Sequence, residues 1–561
     1  MTTKIASLQN LVDLGGVAKV LGYSAKSLAY ILYKIPAAAK YKTFNISKRS
    51  GGVRTISAPC DRLMQLQHSL AELLYDCYDE LVEDSNPGEA VSHGFRRRLS
   101  IVTNAVQHRS RSNVLNLDLE NFFGSINFGR VRGYFIQSSD FKLHEKVATV
   151  IAQIACHENC LPTGSPSSPV ISNLIARVLD IRLVRHAKRL GCTYTRYVDD
   201  LTFSSNRKIL PSDLTSPGAK VHEWLPGRLL AREIGRAGFS VNVKKTRLQY
   251  ADSRQEVTGL SVNRRVNTTA TYRRYAMAMA DTLFRTGAYH FPRANTESPP
   301  VPGTVTQLRS IFGFINFVDR KVLAVPDAVE VWLRRTEAYR RLVFFEDFYL
   351  STKPVILVEG KTDRIYLRAA LHRQFHVAPK LAAKEKGGAV ELAVRLYGGS
   401  RLASRFFGLD GGAPALAQFI RDYDSLYRGF GVPASNNPTI IIVDFDDGVD
   451  HIKGALKKYK IILDDSKPFQ WICRDLYIVC IPKKGAMIEE LFDKGMWQIK
   501  LDGKTFNPTN KAVGPNEYGK SHFASYVIRP NYKAIDFSGF DQLLQNIETA
   551  VVQHSKTRQP T

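Results

Sequence analysis

The sequence predicts an α+β unit at the front of the chain and, behind it, an α/β unit built on a parallel sheet. Three observations predict this. Thr195-Arg196-Tyr197-Val198-Asp199-Asp200-Leu201-Thr202-Phe203 sets two adjacent carboxylates between runs rich in Tyr, Val, Thr and Phe, which reads as a β-hairpin with the acids at its turn. Upstream, Val114-Leu115-Asn116-Leu117-Asp118 reads as a buried strand ending in a third acid. From about residue 350 the pattern changes: Val355-Ile356-Leu357-Val358 and Thr439-Ile440-Ile441-Ile442-Val443 are fully apolar runs separated by helical stretches.

The chain has 561 residues, enough for two to four domains with real cores. Its net charge of +26 implies a polyanionic partner, nucleic acid before a membrane surface. No apolar run reaches the roughly 18 residues of a spanning helix. The N-terminus lacks the apolar core and cleavage site of a signal peptide, so a cytoplasmic location is expected. Seven scattered cysteines fit reduced thiols. Cys156-His157-Glu158-Asn159-Cys160 has no second ligand pair at zinc spacing, which argues against a zinc site.

Taken in order, residues 1–40 read as helices. Val17, Val20 and Leu21 share one face, Gly22 and Ser24 break and cap, and Leu28, Ile31 and Leu32 form the next face. The second helix, 26–34, is too apolar to read nucleic acid, so two packing helices are expected rather than a helix-turn-helix. Residues 41–59 read as a hairpin whose tip, Ser47-Lys48-Arg49-Ser50-Gly51-Gly52, could close over a triphosphate or be a plain exposed turn. His93-Gly94-Phe95-Arg96-Arg97-Arg98 suits a phosphate backbone and would equally suit a solvated face; a helix follows over 101–108. Asp118, with Asp199 and Asp200 from a neighbouring hairpin, makes a two-metal phosphoryl-transfer site, in which cations about 3.5–4 Å apart clamp attacking and leaving oxygens. Adjacent carboxylates repel unless a cation lies between them, and Mg²⁺ suits carboxylates with substrate phosphates. Leu161-Pro162-Thr163-Gly164-Ser165-Pro166 is a turn entering an apolar helix, where backbone N–H groups can meet a phosphate.

These segments resemble reverse transcriptases. Asp118 with Phe122-Phe123, then Leu161 to Pro166, then Tyr197-Val198-Asp199-Asp200, occur in that family's order and spacing. Asn104-Ala105-Val106-Gln107-His108 resembles the Asn-Ala-x-x-His signature of retron reverse transcriptases, and Val257-Thr258-Gly259 their Val-Thr-Gly signature. The resemblance covers roughly residues 1–345. It implies a right-hand fold of fingers, palm and thumb, with two Mg²⁺ in the palm and dNTPs as substrates. It also implies a noncoding RNA as template and primer, commonly primed from a guanosine 2′-OH, and a branched RNA–DNA product (msDNA) that stays bound. By position, Arg54 would contact the triphosphate, Phe123 would exclude a ribose 2′-OH, and Lys245 would lie near the pyrophosphate. Nucleic-acid contact is expected from Arg96, Arg97 and Arg98 and, through the two signatures, from Asn104, His108, Val257, Thr258 and Gly259. Thr163 stands where the family usually has Gln, and Val198 where retrons more often have Ala. Residues 270–345 read as thumb helices; Arg309, Arg320, Lys321, Arg334, Arg335, Arg340 and Arg341 would grip a duplex.

In the rear unit, Glu359-Gly360-Lys361-Thr362-Asp363 follows one apolar strand and Asp444-Phe445-Asp446-Asp447 the other. Acids at the carboxyl ends of parallel strands stand where such sheets place their sites. The pattern resembles a Toprim domain over roughly 352–500. That resemblance implies Glu359 as general acid/base, with Asp444 and Asp446, alongside Glu359, holding one or two Mg²⁺. Asp410-Gly411-Gly412 would be a turn between the motifs, and Ile488-Glu489-Glu490-Leu491 offers a further acid.

The expected organisation is N-terminal helices over 1–40, fingers and palm over 41–265, thumb over 266–349, and Toprim with a C-terminal extension over 350–561. The whole is similar to retron reverse transcriptases fused to a Toprim effector. It implies DNA synthesis on a noncoding RNA, and an RNA or DNA nuclease restrained by the hybrid in anti-phage defence. The rival reading makes the rear unit a non-catalytic nucleic-acid-binding module. A topoisomerase is disfavoured, because no segment is large enough for a nucleophilic-Tyr domain. No membrane partner is expected, and the sequence does not fix the oligomeric state.

Overall fold

The chain opens with short capped helices. Lys4–Gln9, Leu14–Val20 and Ala25–Ala29 each begin at a side chain, Thr3, Asp13 or Ser24, that accepts a first-turn N–H. A π turn, Tyr30–Lys34, continues the third. Val17, Leu28, Ile31 and Leu32 are buried, so these are packing helices. The computed structural model describes residues 3–47, 52–82, 91–220, 222–292, 299–323, 334–385, 387–398, 401–409, 411–445, 448–482, 487–509 and 513–557. It divides into one compact unit of residues 1–269 with 321–323 and another of 270–320 with 324–561.

In the first unit, β1 (Tyr41–Ser47) and β2 (Val53–Pro59) form the expected antiparallel hairpin, from Tyr41 opposite Pro59 to Ser47 opposite Val53. Lys48, Arg49, Ser50 and Gly51 of its tip lie outside the described residues. Helix α1 (Asp61–Val82) buries Leu63, Leu66, Leu70, Leu74 and Cys77, a stripe at three- and four-residue steps. Helix α2 (Ile101–Val106) starts at a capping box made by Ser100 and Thr103. The central sheet joins β3 (Asn113–Asp118), β4 (Thr193–Tyr197), β5 (Asp200–Ser205) and β6 (Arg247–Tyr250) in the order β4-β5-β3-β6, all antiparallel. Its core includes Leu115, Leu117, Leu201 and Phe203 with Leu174, Leu179 and Leu183 of helix α3 (Ser168–Arg189). A small hairpin, β7 (Glu256–Val257) and β8 (Leu260–Ser261), turns through Thr258 and Gly259, both at positive φ, as a two-residue type I′ turn requires.

The second unit begins with helices α4 (Ala270–Thr286), α5 (Val305–Leu323) and α6 (Arg334–Phe344). The α/β part follows: β9 (Val355–Leu357), α7 (Asp363–Arg373), β10 (Arg395–Leu396), α8 (Ala413–Tyr427), β11 (Thr439–Val443), β12 (Gln470–Cys473), β13 (Leu476–Cys480) and α9 (Asp541–Thr557). The strand order is β10-β9-β11-β13-β12. The first four strands are parallel, but β12 runs antiparallel to β13, so the sheet is mixed rather than purely parallel. A tight turn at Arg474, at φ 54°, closes that edge hairpin.

Both faces of the rear sheet are buried, which is why its strands read as unbroken apolar runs. Leu357, Ile441, Val443 and Ile478 share a core with Leu283, Phe284, Phe344, Phe345, Phe419 and Tyr423 of the flanking helices. The alternate residues Ile356, Ile440, Ile442 and Val479 pack with Tyr366, Leu367, Leu543, Leu544 and Ile547 on the other side. The helices expected as a thumb thus share one core with the rear sheet.

Candidate active site

The β3–β5 register sets Asp118 directly opposite Asp200, and Tyr197 pairs with Asp200 across the β4–β5 hairpin. Val198 and Asp199 are therefore its two-residue turn. Val198 sits at φ 62°, a left-handed conformation that costs a β-branched residue about 1–2 kcal/mol. The surroundings hold it there. Arg196 is fully buried and paired with Asp180 at 2.7 Å. Its Nη1 donates to the Val198 carbonyl and to Asn173 Oδ1, both at 3.0 Å. Leu119 N donates to the Asp199 carbonyl at 2.9 Å. Gly94 lies against the turn so closely that a Cβ there would stand 2.6 Å from Val198 Cγ2 and 2.7 Å from its N. Asn173 Nδ2 donates to the Gly94 carbonyl at 2.8 Å.

Dehydration and the neighbouring Asp118 push Asp199 above the usual carboxylate range. Asp200 reaches the surface, yet loss of water, then Asp199 and Asp118, push it up to about 7. Lys245 Nζ donates to Asp118 Oδ1 at 2.7 Å, and that bond raises the Lys245 ammonium above its ordinary value. The charge of Arg54 opposes the rise at Asp199, which puts that strand residue within electrostatic reach of the acids. Three carboxylates offer the hard oxygen donors that fit Mg²⁺ chemically. Lys245 occupies one of those oxygens, and among the described residues no three carboxylate, histidine or cysteine side chains already converge as a ligand cluster.

Phe123 is half-buried, edge-on to Phe122 at 5.5 Å and tilted against exposed Phe95 at 6.2 Å. Thr163 is pinned to β2, its carbonyl accepting from Ser57 N at 2.8 Å. Gly164, at φ 125°, has no room for a Cβ, which would meet Ser57 O at 2.8 Å.

Several expected nucleic-acid contacts turn inward. Arg97 is engaged by Glu72, Asp76 and Asp79, and Arg96 lies over the Tyr78 ring at 5.2 Å; of the three arginines Arg98 is the exposed one without an acid beside it among the described residues. Asn104, His108 and Val257 are wholly buried. Thr195 Oγ1 donates to Asn104 Oδ1 at 2.6 Å, so it must accept from His108 Nε2, 2.7 Å away. His108 Nδ1 then accepts from Ser204 Oγ at 2.7 Å. Burial pushes the His108 pKa down to about 3, leaving the ring neutral. Thr258 Oγ1 donates to the Ile101 carbonyl at 3.2 Å, while Gly259 is exposed. The two signatures interlock α2, the β7–β8 hairpin and the strands that carry the acids. Direct nucleic-acid contact by Asn104, His108 or Val257 is thereby corrected to support of the palm.

In the rear unit Glu359 follows β9 and Asp444 follows β11, neighbouring parallel strands, so both stand at one carboxyl edge. Asp446 and Asp410 lie outside the described residues. Three further groups surround the Glu359 turn. Asp363, nearly buried, accepts from Gly360 N at 2.6 Å. Glu489 is fully buried, and Lys520 Nζ stands 3.1 Å from its Oε2. That contact is an ion pair without hydrogen-bond alignment, and neither Glu489 oxygen accepts a hydrogen bond. Burial raises both acids above the carboxylate range, with Lys520 opposing. Asp363 sits four residues after Glu359 and Glu489 was legible as an acid; Lys520 gave no sequence signal.

A family model described as Reverse transcriptase (RNA-dependent DNA polymerase) matches residues 46–267. The chain is 35% identical to the Retron Mx65 reverse transcriptase of Myxococcus xanthus over 44% of its own length and 57% of that protein's. It is 32% identical to the Retron Ec86 reverse transcriptase of Escherichia coli over 46% of its length and 72% of that protein's. The chain thus spans a little over half the length of the Myxococcus relative. A telomerase from Candida tropicalis, solved in complex with a TWJ fragment of telomeric RNA, is similar over 54% of this chain and 56% of that one at 12% identity; its TM-score of 0.31 is too low to weigh here.

Proposed function

This chain belongs to the retron reverse transcriptase family, and on that footing we propose that its front unit is an RNA-directed DNA polymerase making msDNA on a noncoding RNA. The observation that carries the reading is Asp118 opposite Asp200, with Asp199 in the hairpin turn that precedes Asp200, inside the matched residues. A 2′- or 3′-hydroxyl attacks the α-phosphate of a dNTP and pyrophosphate leaves. Asp118, Asp199 and Asp200 would hold Mg²⁺, which would supply charge neutralisation for the phosphoryl transfer. The chain's own residues do the rest. Arg54 binds the triphosphate, Phe123 stacks under the sugar and excludes a 2′-OH, and Lys245 releases Asp118 to meet the pyrophosphate. Asp199→Ala with Asp200→Ala should abolish cDNA synthesis and leave RNA binding intact.

For the rear unit we infer a Mg²⁺-dependent Toprim nuclease, held in check by the bound hybrid and serving anti-phage defence. What supports it is Glu359 and Asp444 on adjacent strand ends beside buried Asp363 and Glu489 and half-buried Lys520. A fold gains nothing from crowding carboxylates unless a cation joins them. Glu359→Ala should remove cleavage of RNA or DNA measured after the hybrid is stripped, and leave cDNA synthesis unchanged. Equal, hybrid-independent inertness of parent and variant would instead support the binding module.

A further inference from the structure

Beside the Glu359 turn the rear unit holds a cavity of about 570 Å³ walled by Lys361, Arg364, Arg368, His372, Arg529 and Tyr532. Arg364, Arg368 and His372 recur every four residues along α7, so one helix face presents them together. No carboxylate lines the cavity. Several arginines elsewhere in this unit are matched: Arg309 with Glu346 at 2.5 Å, Arg340 with Asp422 at 2.5 Å, Arg395 with Asp347 at 2.8 Å and Arg474 with Asp424 at 2.8 Å. Among the described residues, Lys361, Arg364, Arg368 and Arg529 have no such acid. Converging like charges are unfavourable until an anion sits among them.

Local geometry points the same way. Arg364 lies across Gly398, where a Cβ would collide with its guanidinium. Gly398 follows β10, whose carboxyl end shares an edge of the sheet with that of β9, the strand preceding Glu359. The Tyr532 and His372 rings lie tilted to one another with centroids 6.1 Å apart. Burial and Arg368 lower the His372 pKa, so at neutral pH it is an uncharged hydrogen-bonding group on a cationic wall. Guanidinium groups bind phosphate oxygens in pairs, and an aromatic ring beside them suits a base.

We propose that this cavity binds a backbone phosphate of a single nucleic-acid strand, with a base against Tyr532, and so leads the strand to Glu359. The direction of travel rests on the nuclease reading above; the binding does not. The test is arginine labelling by phenylglyoxal, mapped by peptide mass spectrometry, on the full chain freed of copurifying nucleic acid in high salt. A short single-stranded oligonucleotide should lower labelling of Arg364, Arg368 and Arg529 about tenfold at low salt, an electrostatic effect that high salt removes. In a chain carrying Arg364→Gln and Arg368→Gln, Arg529 should lose that protection, with cDNA synthesis unchanged. Protection by AMP but not by the oligonucleotide would overturn the strand as the source of the phosphate. Equal labelling with and without either probe would overturn the site. If protection persists but no Glu359-dependent cleavage is found, the cavity stands and the nuclease reading falls.

Discussion

Replacing Arg196 by Met removes the cation that neutralises Asp180 and the donor that props the Val198 carbonyl. Arg196 is fully buried and Asp180 is 5% exposed, so the variant leaves a carboxylate in the interior with Tyr194 Oη, at 2.9 Å, as its remaining donor from the pair's surroundings. Breaking one side of a buried pair costs about 3–5 kcal/mol. The lost bond to the Val198 carbonyl adds about 1 kcal/mol or less. For a unit of this size about 1 kcal/mol lowers Tm by about 2–4 °C, so the front transition should fall by about 6–24 °C. Calorimetry reads the transition, and hydrogen exchange of residues 193–205 assigns it to the hairpin. Adding Asp180→Leu should restore most of the stability, since a buried pair replaced by apolar groups is often close to neutral. It should not restore DNA synthesis, because the turn that aims Asp199 still lacks its prop. A single variant melting with the parent, or a double variant as unstable as the single one, would refute this account of the turn.

His108 makes the front unit acid-sensitive. Its folded pKa of about 3 lies below the unfolded value near 6.5, so the unfolded chain takes the proton first. The stability it contributes is complete above pH 6.5 and is lost as pH falls toward 3, about 2 kcal/mol of it by pH 5. In urea unfolding, His108→Asn should start less stable, having lost its two hydroxyl partners, but should lose about 2 kcal/mol less than the parent between pH 7 and pH 5; parallel pH profiles would contradict it. Phe123→Ala should admit ribonucleotides in extension with rNTPs alone, and no gain over the parent would place the gate elsewhere.

The hairpin acids and Asp118 were legible because each sits at the end of a short β-pattern, a local signal. The Arg196–Asp180 pair was not, since Asp180 looks like any polar residue in a helix until the fold brings it to the strand. Asn104, His108 and Val257 marked the family correctly, but not their roles. The partners of Asn104 and His108, Thr195 and Ser204, lie up to 96 residues away, and nothing local tells a buried polar group from an exposed one. Of the rear sheet's parallel strands β9 and β11 showed as apolar runs, whereas β12, at the sheet edge and partly exposed, carries Gln470 and Trp471 and gave no such run. The same holds for Lys520, whose meaning comes only from Glu489.

The most direct test is primer extension on an RNA template with dNTPs and Mg²⁺, comparing the purified full chain with Asp199→Ala plus Asp200→Ala. The parent should extend the primer. The variant should bind the same RNA with unchanged affinity and add no nucleotide. Full-length DNA from the variant would contradict the assignment of these carboxylates to catalysis.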